Sequence, residues 1–215
     1  RMKIRQIALT AMLALALIGV SQSRAAVWDF DVDGTETWLG YVNSTVWSGA
    51  YGFADLRSSF TDPGTIKLQS NVLAQDNDPG GWAGATMELN SYQEVVGAVG
   101  DTASFDFYTV ANELAAQGYT AIGFMKVLDP GAGWATTQFE TFALTPGVQG
   151  NLSLTVLPTI APDPRIQAGF AITGLSDFSG SATADLAVTV IPEPATLGLL
   201  GLAGAGLFIR RRLLS

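Results

Sequence analysis

Three times between residues 150 and 190, apolar side chains recur at every second position. Leu152, Leu154 and Val156 alternate with Ser153 and Thr155. Ile166, Ala168, Phe170 and Ile172 alternate with Gln167, Gly169 and Ala171. Ala184, Leu186, Val188 and Val190 alternate with Thr183, Asp185, Ala187 and Thr189, and Phe105 and Phe107 flank Asp106 in the same way. A helix needs apolar residues three and four apart, whereas a spacing of two places them all on one side of a strand. Each segment therefore predicts a strand with one buried face. Turn chemistry separates such segments: Asp62-Pro63-Gly64, Asp78-Pro79-Gly80-Gly81, Asp129-Pro130-Gly131 and Pro146-Gly147. The one helical piece, residues 112–117, is a turn and a half closed by Gly118. About ten short strands with almost no helix predict an all-β fold, an antiparallel jelly-roll-type β-sandwich.

The ends of the chain follow another pattern. Met2-Lys3-Ile4-Arg5 is a short positive start, residues 7–20 are almost wholly apolar, and Ser23 and Ala25 are small. This order is that of a secretory signal peptide cut after Ala25, leaving Ser23 and Ala25 at −3 and −1; the alternative, an uncleaved membrane anchor, asks for a longer run. At the other end Pro192-Glu193-Pro194 leads into an apolar run at 195–209, closed by Arg210-Arg211-Arg212. As a helix that run rises only ~22 Å against a hydrocarbon core of ~30 Å, so thinning or snorkelling would accompany a transmembrane helix here. The arginines orient it, with everything before Pro192 outside the cytoplasmic membrane.

Pro192-Glu193-Pro194, the apolar stretch and the arginine cluster together resemble the PEP-CTERM sorting domain of Gram-negative bacteria. The resemblance covers roughly residues 190–214. It implies export, transient anchoring in the cytoplasmic membrane by the C-terminal helix, and cleavage near Pro-Glu-Pro by an exosortase-type sorting peptidase. It also implies a place at the cell surface or in the extracellular matrix, in association with biofilm or exopolysaccharide. The chain thus divides into a signal peptide (1–25), an exported β-sandwich (26–189) and a sorting signal (190–215).

Composition changes meaning once the ends are set aside. The whole chain has a formal charge of −8, but residues 26–189 hold four basic residues against eighteen acidic ones, a net −14. Such a surface disfavours nucleic acid and favours cations or neutral ligands. The chain has no His and no Cys, which removes Ser-His-Asp and Cys-His catalysis and ordinary zinc, haem or iron–sulfur sites.

The exported part carries a second likeness. Trp28-Asp29-Phe30-Asp31-Val32-Asp33-Gly34, leading to Trp38, resembles the first strand of carbohydrate-binding modules with the galactose-binding-like jelly roll. Residues 103–108, 167–173 and 184–188 are similar to later strands of that family, although Ala184 stands where an acid is frequent. The family's structural Ca²⁺, held between first and last strands, would recruit Asp185. Asp29, Asp31 and Asp33 before Gly34 also match the first half of a calcium loop, because Ca²⁺ takes six to eight oxygens and alternate carboxylates supply several. The loop departs from that pattern at its twelfth position, where Gly40 replaces the bidentate Glu. Either these acids bind a structural Ca²⁺ or they are solvated strand-edge groups.

Two loops share an Asp-Pro-Gly turn running into a tryptophan: Asp78 leads to Trp82, and Asp129 to Trp134. A tryptophan raised by a turn offers a flat face to the C–H side of a sugar, with the acids accepting hydroxyl hydrogens. The alternative is that both tryptophans begin strands and cap the core. Tyr41, Trp47, Tyr51 and Phe53 form an aromatic stretch that either packs the core or lines a ligand face. Paired-carboxylate hydrolysis needs no His, yet no acid is set apart as a proton donor, and no phosphate loop or dinucleotide fingerprint occurs. The expected function is non-catalytic binding of carbohydrate or exopolysaccharide. The alternative is a structural surface or adhesion protein with no small-ligand site.

Overall fold

The computed structural model describes residues 25–30, 37–45, 48–54, 56, 58–62, 64–69, 85–175 and 187–192. In chain order the strands are β1 (Val27–Phe30), β2 (Leu39–Ser44), β3 (Ser48–Gly52), β4 (Ser59–Asp62), β5 (Thr65–Gln69) and β6 (Thr86–Val96). They continue as β7 (Thr102–Asn112), β8 (Thr120–Asp129), β9 (Ala135–Ala143), β10 (Gln149–Thr155), β11 (Arg165–Leu175) and β12 (Ala187–Pro192). The expected helical piece is a single 3-10 turn, Leu114–Gln117, ended by Gly118 at φ 81°. Among the described residues no helix is long and apolar enough to cross a membrane. The signal peptide and the apolar run at 195–209 lie outside the described residues, apart from Ala25.

The strands form two six-stranded sheets. The second sheet runs β3-β2-β6-β11-β8-β9 and is antiparallel throughout. The first holds β1, β7, β12, β5 and β4, with β10 also on β7. It departs from the wholly antiparallel expectation, because β1 runs parallel to β7. The pairings explain why. β10 occupies one edge of β7 from Tyr108 to Thr102. On the remaining edge β1 covers Thr102 to Phe105 and β12 covers Asn112 to Phe107. First and last strands thus meet end to end along one side of β7. β12 continues through Val190 to Pro192, so the sheet runs into the segment assigned to sorting.

Alternation builds the core between the sheets. Phe105 and Phe107 of β7, Leu152 and Leu154 of β10, and Ile166, Ala168 and Phe170 of β11 join one buried cluster with Trp38. The Phe105, Phe107 and Phe170 rings lie 5.1–5.3 Å apart, and Trp38 stacks on Phe170 at 6.0 Å. Each such ring contributes roughly 1.5–3 kcal/mol by burial alone. Two glycines make room for Phe107. A Cβ at Gly123 or Gly150 would lie 2.4 or 2.3 Å from its ring atoms. One expectation needs correcting here. β10 alternates between buried and exposed as predicted, but β11 is buried on both faces from Ile166 to Ile172. A central strand with side chains packed on either side has no solvent face to signal.

Candidate functional site: the outer face of the second sheet

The strand registers of the second sheet assemble side chains in rows on the face turned away from the core. In one row Tyr92 of β6 stands opposite Leu39 and Gly169, and Gly169 opposite Phe124 of β8. In the next, Glu94, Gln167, Lys126 and Phe139 follow one another across four strands. On the other side lie Tyr41, Asn90, Ala171 and Ile122, and beyond them Asn43, Glu88 and Thr173. These positions share a face because side chains alternate along each strand while registers align across strands.

The middle of this face is a floor and its flanks are higher. Tyr92, Phe124 and Ala171 form a buried cluster with Ile122 against it. Gly169 adds no side chain between Tyr92 and Phe124, and a Cβ there would lie 2.2 Å from the Ser91 carbonyl oxygen. Lys126 reaches over the gap, its Nζ 5.0 Å from the Phe124 ring centre and 5.9 Å from that of Tyr92. Tyr41 on β2 is 36% exposed and Phe139 on β9 is 55% exposed. Four strand spacings, about 19 Å, separate those two strands. An open depression of about 300 Å³, lined by Asn43, Ser44, Thr45, Thr86, Glu88 and Thr173, extends the face at one end.

Polar groups on the floor are already paired. Gln167 donates from Nε2 to Glu94 Oε2 at 2.6 Å, and Asn90 from Nδ2 to Glu88 Oε1 at 2.9 Å. Burial pushes the Lys126 ammonium below its ordinary value, opposed by the charges of Glu88 and Glu94. Burial also raises the Tyr92 hydroxyl, with Glu94 and Tyr41 adding to the effect. The face therefore presents the exposed rings of Tyr41 and Phe139 on either side of a packed floor of buried rings and amides, with Lys126 lying over it.

The predicted site residues are placed elsewhere or lie outside the described residues. Trp134 is 56% exposed, in the turn between β8 and β9. It does not cap the core, and its backbone takes φ 68°, a left-handed conformation rare for a bulky residue. Asp129 turns its carboxylate onto backbone amides. It is buried, with Oδ1 accepting from the Gly131 and Ala161 amides (2.8 and 3.0 Å) and Oδ2 from Ile160 (2.6 Å). Burial raises its carboxyl, but these amides and that of Ala132 prevail and hold it below the ordinary value. Its work is to tie the turn bearing Trp134 to the loop before β11.

Asp78 and Trp82 lie outside the described residues. Their flanking strand ends, Gln69 and Thr86, are at the opposite end of the sandwich from Trp134. Of the calcium candidates only Asp29 is described. It lies on the outer face of the first sheet, where Ser104 Oγ donates to it at 3.3 Å. Asp31, Asp33 and Asp185 lie outside the described residues, and no group of three or more metal-ligating side chains occurs among the described ones. Pro192 ends β12, while Glu193, Pro194, Arg210, Arg211 and Arg212 lie outside the described residues. Tyr41 was the only member of the outer-face rows that the sequence offered for a ligand face. The signal for the rest was present in β6, where Glu88, Asn90, Tyr92 and Glu94 alternate with Met87, Leu89, Ser91 and Gln93.

Several solved structures match this chain at low TM-scores. One, described under CBM4 structure and function, has a TM-score of 0.32 at 13% identity, covering 76% of this chain and 92% of that one. Another holds the CBM22-1–GH10 modules of the endo-1,4-β-D-xylanase 10B of Clostridium thermocellum with xylohexaose (TM-score 0.31, 11% identity, 76% and 27% covered). A third concerns promiscuous specificity in carbohydrate-binding modules of the β-sandwich superfamily (TM-score 0.28, 13% identity, 79% and 92% covered). Among curated proteins none matches. Residues 190–212 match the PEP-CTERM protein-sorting motif, and by that motif this is an exported protein sorted through processing by an exosortase.

Proposed function

We propose that the exported domain is a non-catalytic carbohydrate-binding domain whose ligand lies across the outer face of the second sheet. The protein would act at the cell surface or in the matrix, and the ligand would be a polysaccharide chain. The observation that carries this reading is the recessed row of Tyr92, Gly169 and Phe124, flanked by Tyr41 and Phe139. A floor of that width fits a chain of sugar rings better than a single ring. The exposed Tyr41 and Phe139 faces take the rings' C–H sides, and the half-buried Glu88 and Glu94 meet hydroxyls. A binding role suits the acids better than hydrolysis. Glu88 and Glu94 are six residues apart on one strand, about 20 Å, well beyond the ~5–9.5 Å between the two carboxyls of most glycosidases.

Retention of the exported protein on an array of neutral and acidic glycans tests the proposal. Binding that weakens on replacing Tyr41 or Phe139 supports it. No retention on any glycan would favour the structural-protein reading, and release of reducing sugar would replace both with an enzyme.

A further inference from the structure

One buried carboxylate belongs to neither the sugar-facing sheet nor the turn of Trp134. Asp101, 5% exposed, lies just before β7. Its Oδ2 accepts the Trp28 indole N–H at 3.1 Å and the Ala98 amide at 2.9 Å. Its Oδ1 accepts the backbone N–H of Ala26 at 2.8 Å. Ala26 is held from its other side too, since its carbonyl accepts from the Thr102 amide at 2.9 Å. Burial raises the Asp101 carboxyl, yet the Trp28, Ala26 and Ala98 donors prevail and keep it below the ordinary value. Among the described residues no lysine or arginine bonds it. A buried carboxylate that stays charged is ordinarily paired with a cation.

The sequence supplies that cation. Small residues at 23 and 25 predict export cleavage after Ala25. Hydrolysis of the Ala25–Ala26 bond puts the hydroxyl of water on the Ala25 carbonyl carbon, giving a carboxylate, and leaves Ala26 N as an ammonium. We infer that Asp101 is the receptor for the N-terminus created by signal-peptide removal, its Oδ1 gripping the new α-ammonium and locking β1 onto β7. The carboxylate already charge-assists the bond from the neutral amide, and the ammonium turns it into an ion pair with added Coulombic attraction. In the precursor only a neutral amide occupies that place, so the domain acquires its final edge strand at full strength after export. This holds whatever the outer face binds.

The test uses the full chain, exported and recovered from the cell surface or medium. Intact mass and N-terminal sequencing are expected to show Ala26 first. Inserting two glutamines between Ala25 and Ala26 moves the ammonium two residues, about 7 Å, from Asp101 while leaving the Ala26 amide in place. Glutamine is too large for the −1 and −3 positions, so neither a cut after a glutamine nor one after Ala26 competes and the cut stays after Ala25. The insertion is expected to lower Tm by about 3 °C or more, and to have no further effect once Asp101→Asn is present. A mature N-terminus at any other residue overturns the inference, as does an insertion that leaves Tm unchanged. Should Asp101→Asn not fold, the sequencing and the insertion still decide.

Discussion

On the first sheet, side chains turned away from the core behave as the alternation demands. Along β10 every second residue is exposed, and across β7 the outward Ser104 and Asp106 pair with polar neighbours, Asp29 and Asn151. On the second sheet the outward side chains are drawn in. Asn90, Tyr92, Phe124, Gln167 and Ala171 are all buried, although they point away from the core between the sheets. Two tyrosines make the contrast sharp. Tyr41 on the second sheet and Tyr108 on the first are each 36% exposed, but Tyr41 stands beside Asn90 and the aromatic floor, and Tyr108 beside Gln149. Exposure alone does not distinguish them; their neighbours do. A face that holds apolar rings, amides and charges together at low exposure has been organised for something, while a face of scattered hydroxyls and acids has only to stay soluble.

The largest test of this contrast is stability. Phe124→Ala removes a ring that is 1% exposed and is expected to cost about 3–5 kcal/mol in denaturant unfolding. Tyr108→Ala on the other outer face should cost less than about 1 kcal/mol. Equal, small losses would mean the second sheet's outer face is no better packed than the first. Gly169→Ala comes next. Its new Cβ would press on the Ser91 carbonyl and on Tyr92, and overpacking of this kind costs about 1–3 kcal/mol. A neutral result would show that the floor between Tyr92 and Phe124 is loose.

Much of the fold was legible in the residues. β7, β10 and β11 fall on the alternations of Phe105 to Phe107, Leu152 to Val156 and Ile166 to Ile172, because a buried inner face forces period two whatever happens outside. The site was less legible for a physical reason. Gln167, Gly169 and Ala171 occupy outward positions, and from sequence they read as solvent-facing spacers. Only cross-strand registers bring Gln167 beside Glu94 and Lys126, and Gly169 beside Tyr92 and Phe124. Each partner lies tens of residues away, and no local spacing encodes that meeting. Asp129 shows the reverse case. An acid in an Asp-Pro-Gly turn looks available to a ligand, but its oxygens close the loop on the Ile160 and Ala161 amides.

Binding offers a test of intermediate size. Tyr41→Ala is expected to weaken retention on a bound polysaccharide about tenfold, the effect of losing ~1.4 kcal/mol at one stacking position. Tyr108→Ala, matched to it in exposure, should leave retention unchanged. Trp134→Ala should have an intermediate effect or none, because that side chain stands in the turn beyond the sheet and not on the Tyr92 row. A Trp134 effect larger than that of Tyr41 would move the site to the loop end of the sandwich.

The smallest expected effect comes from Lys126. Burial holds its ammonium below the ordinary lysine value of 10.5, with Glu88 and Glu94 acting in the opposite sense. A base held low binds its proton more weakly folded than unfolded, so the charged form opposes folding. That opposition is fully present below the folded pKa of Lys126 and disappears as pH rises toward the unfolded value of 10.5. Lys126 should therefore add a rising limb to stability against pH in the alkaline range, and Lys126→Met should remove that limb. The raised Tyr92 hydroxyl acts oppositely, favouring the folded state up to its ordinary value of 10.0 and losing that advantage as pH rises from there to its own higher pKa. The two separate cleanly in the variants, since Tyr92→Phe leaves the lysine limb and Lys126→Met leaves the tyrosine decline. Chemical denaturation at stepped pH, wild type against each variant, measures both. A Lys126→Met curve parallel to wild type would mean that the lysine sits in water on this face as it would on the other.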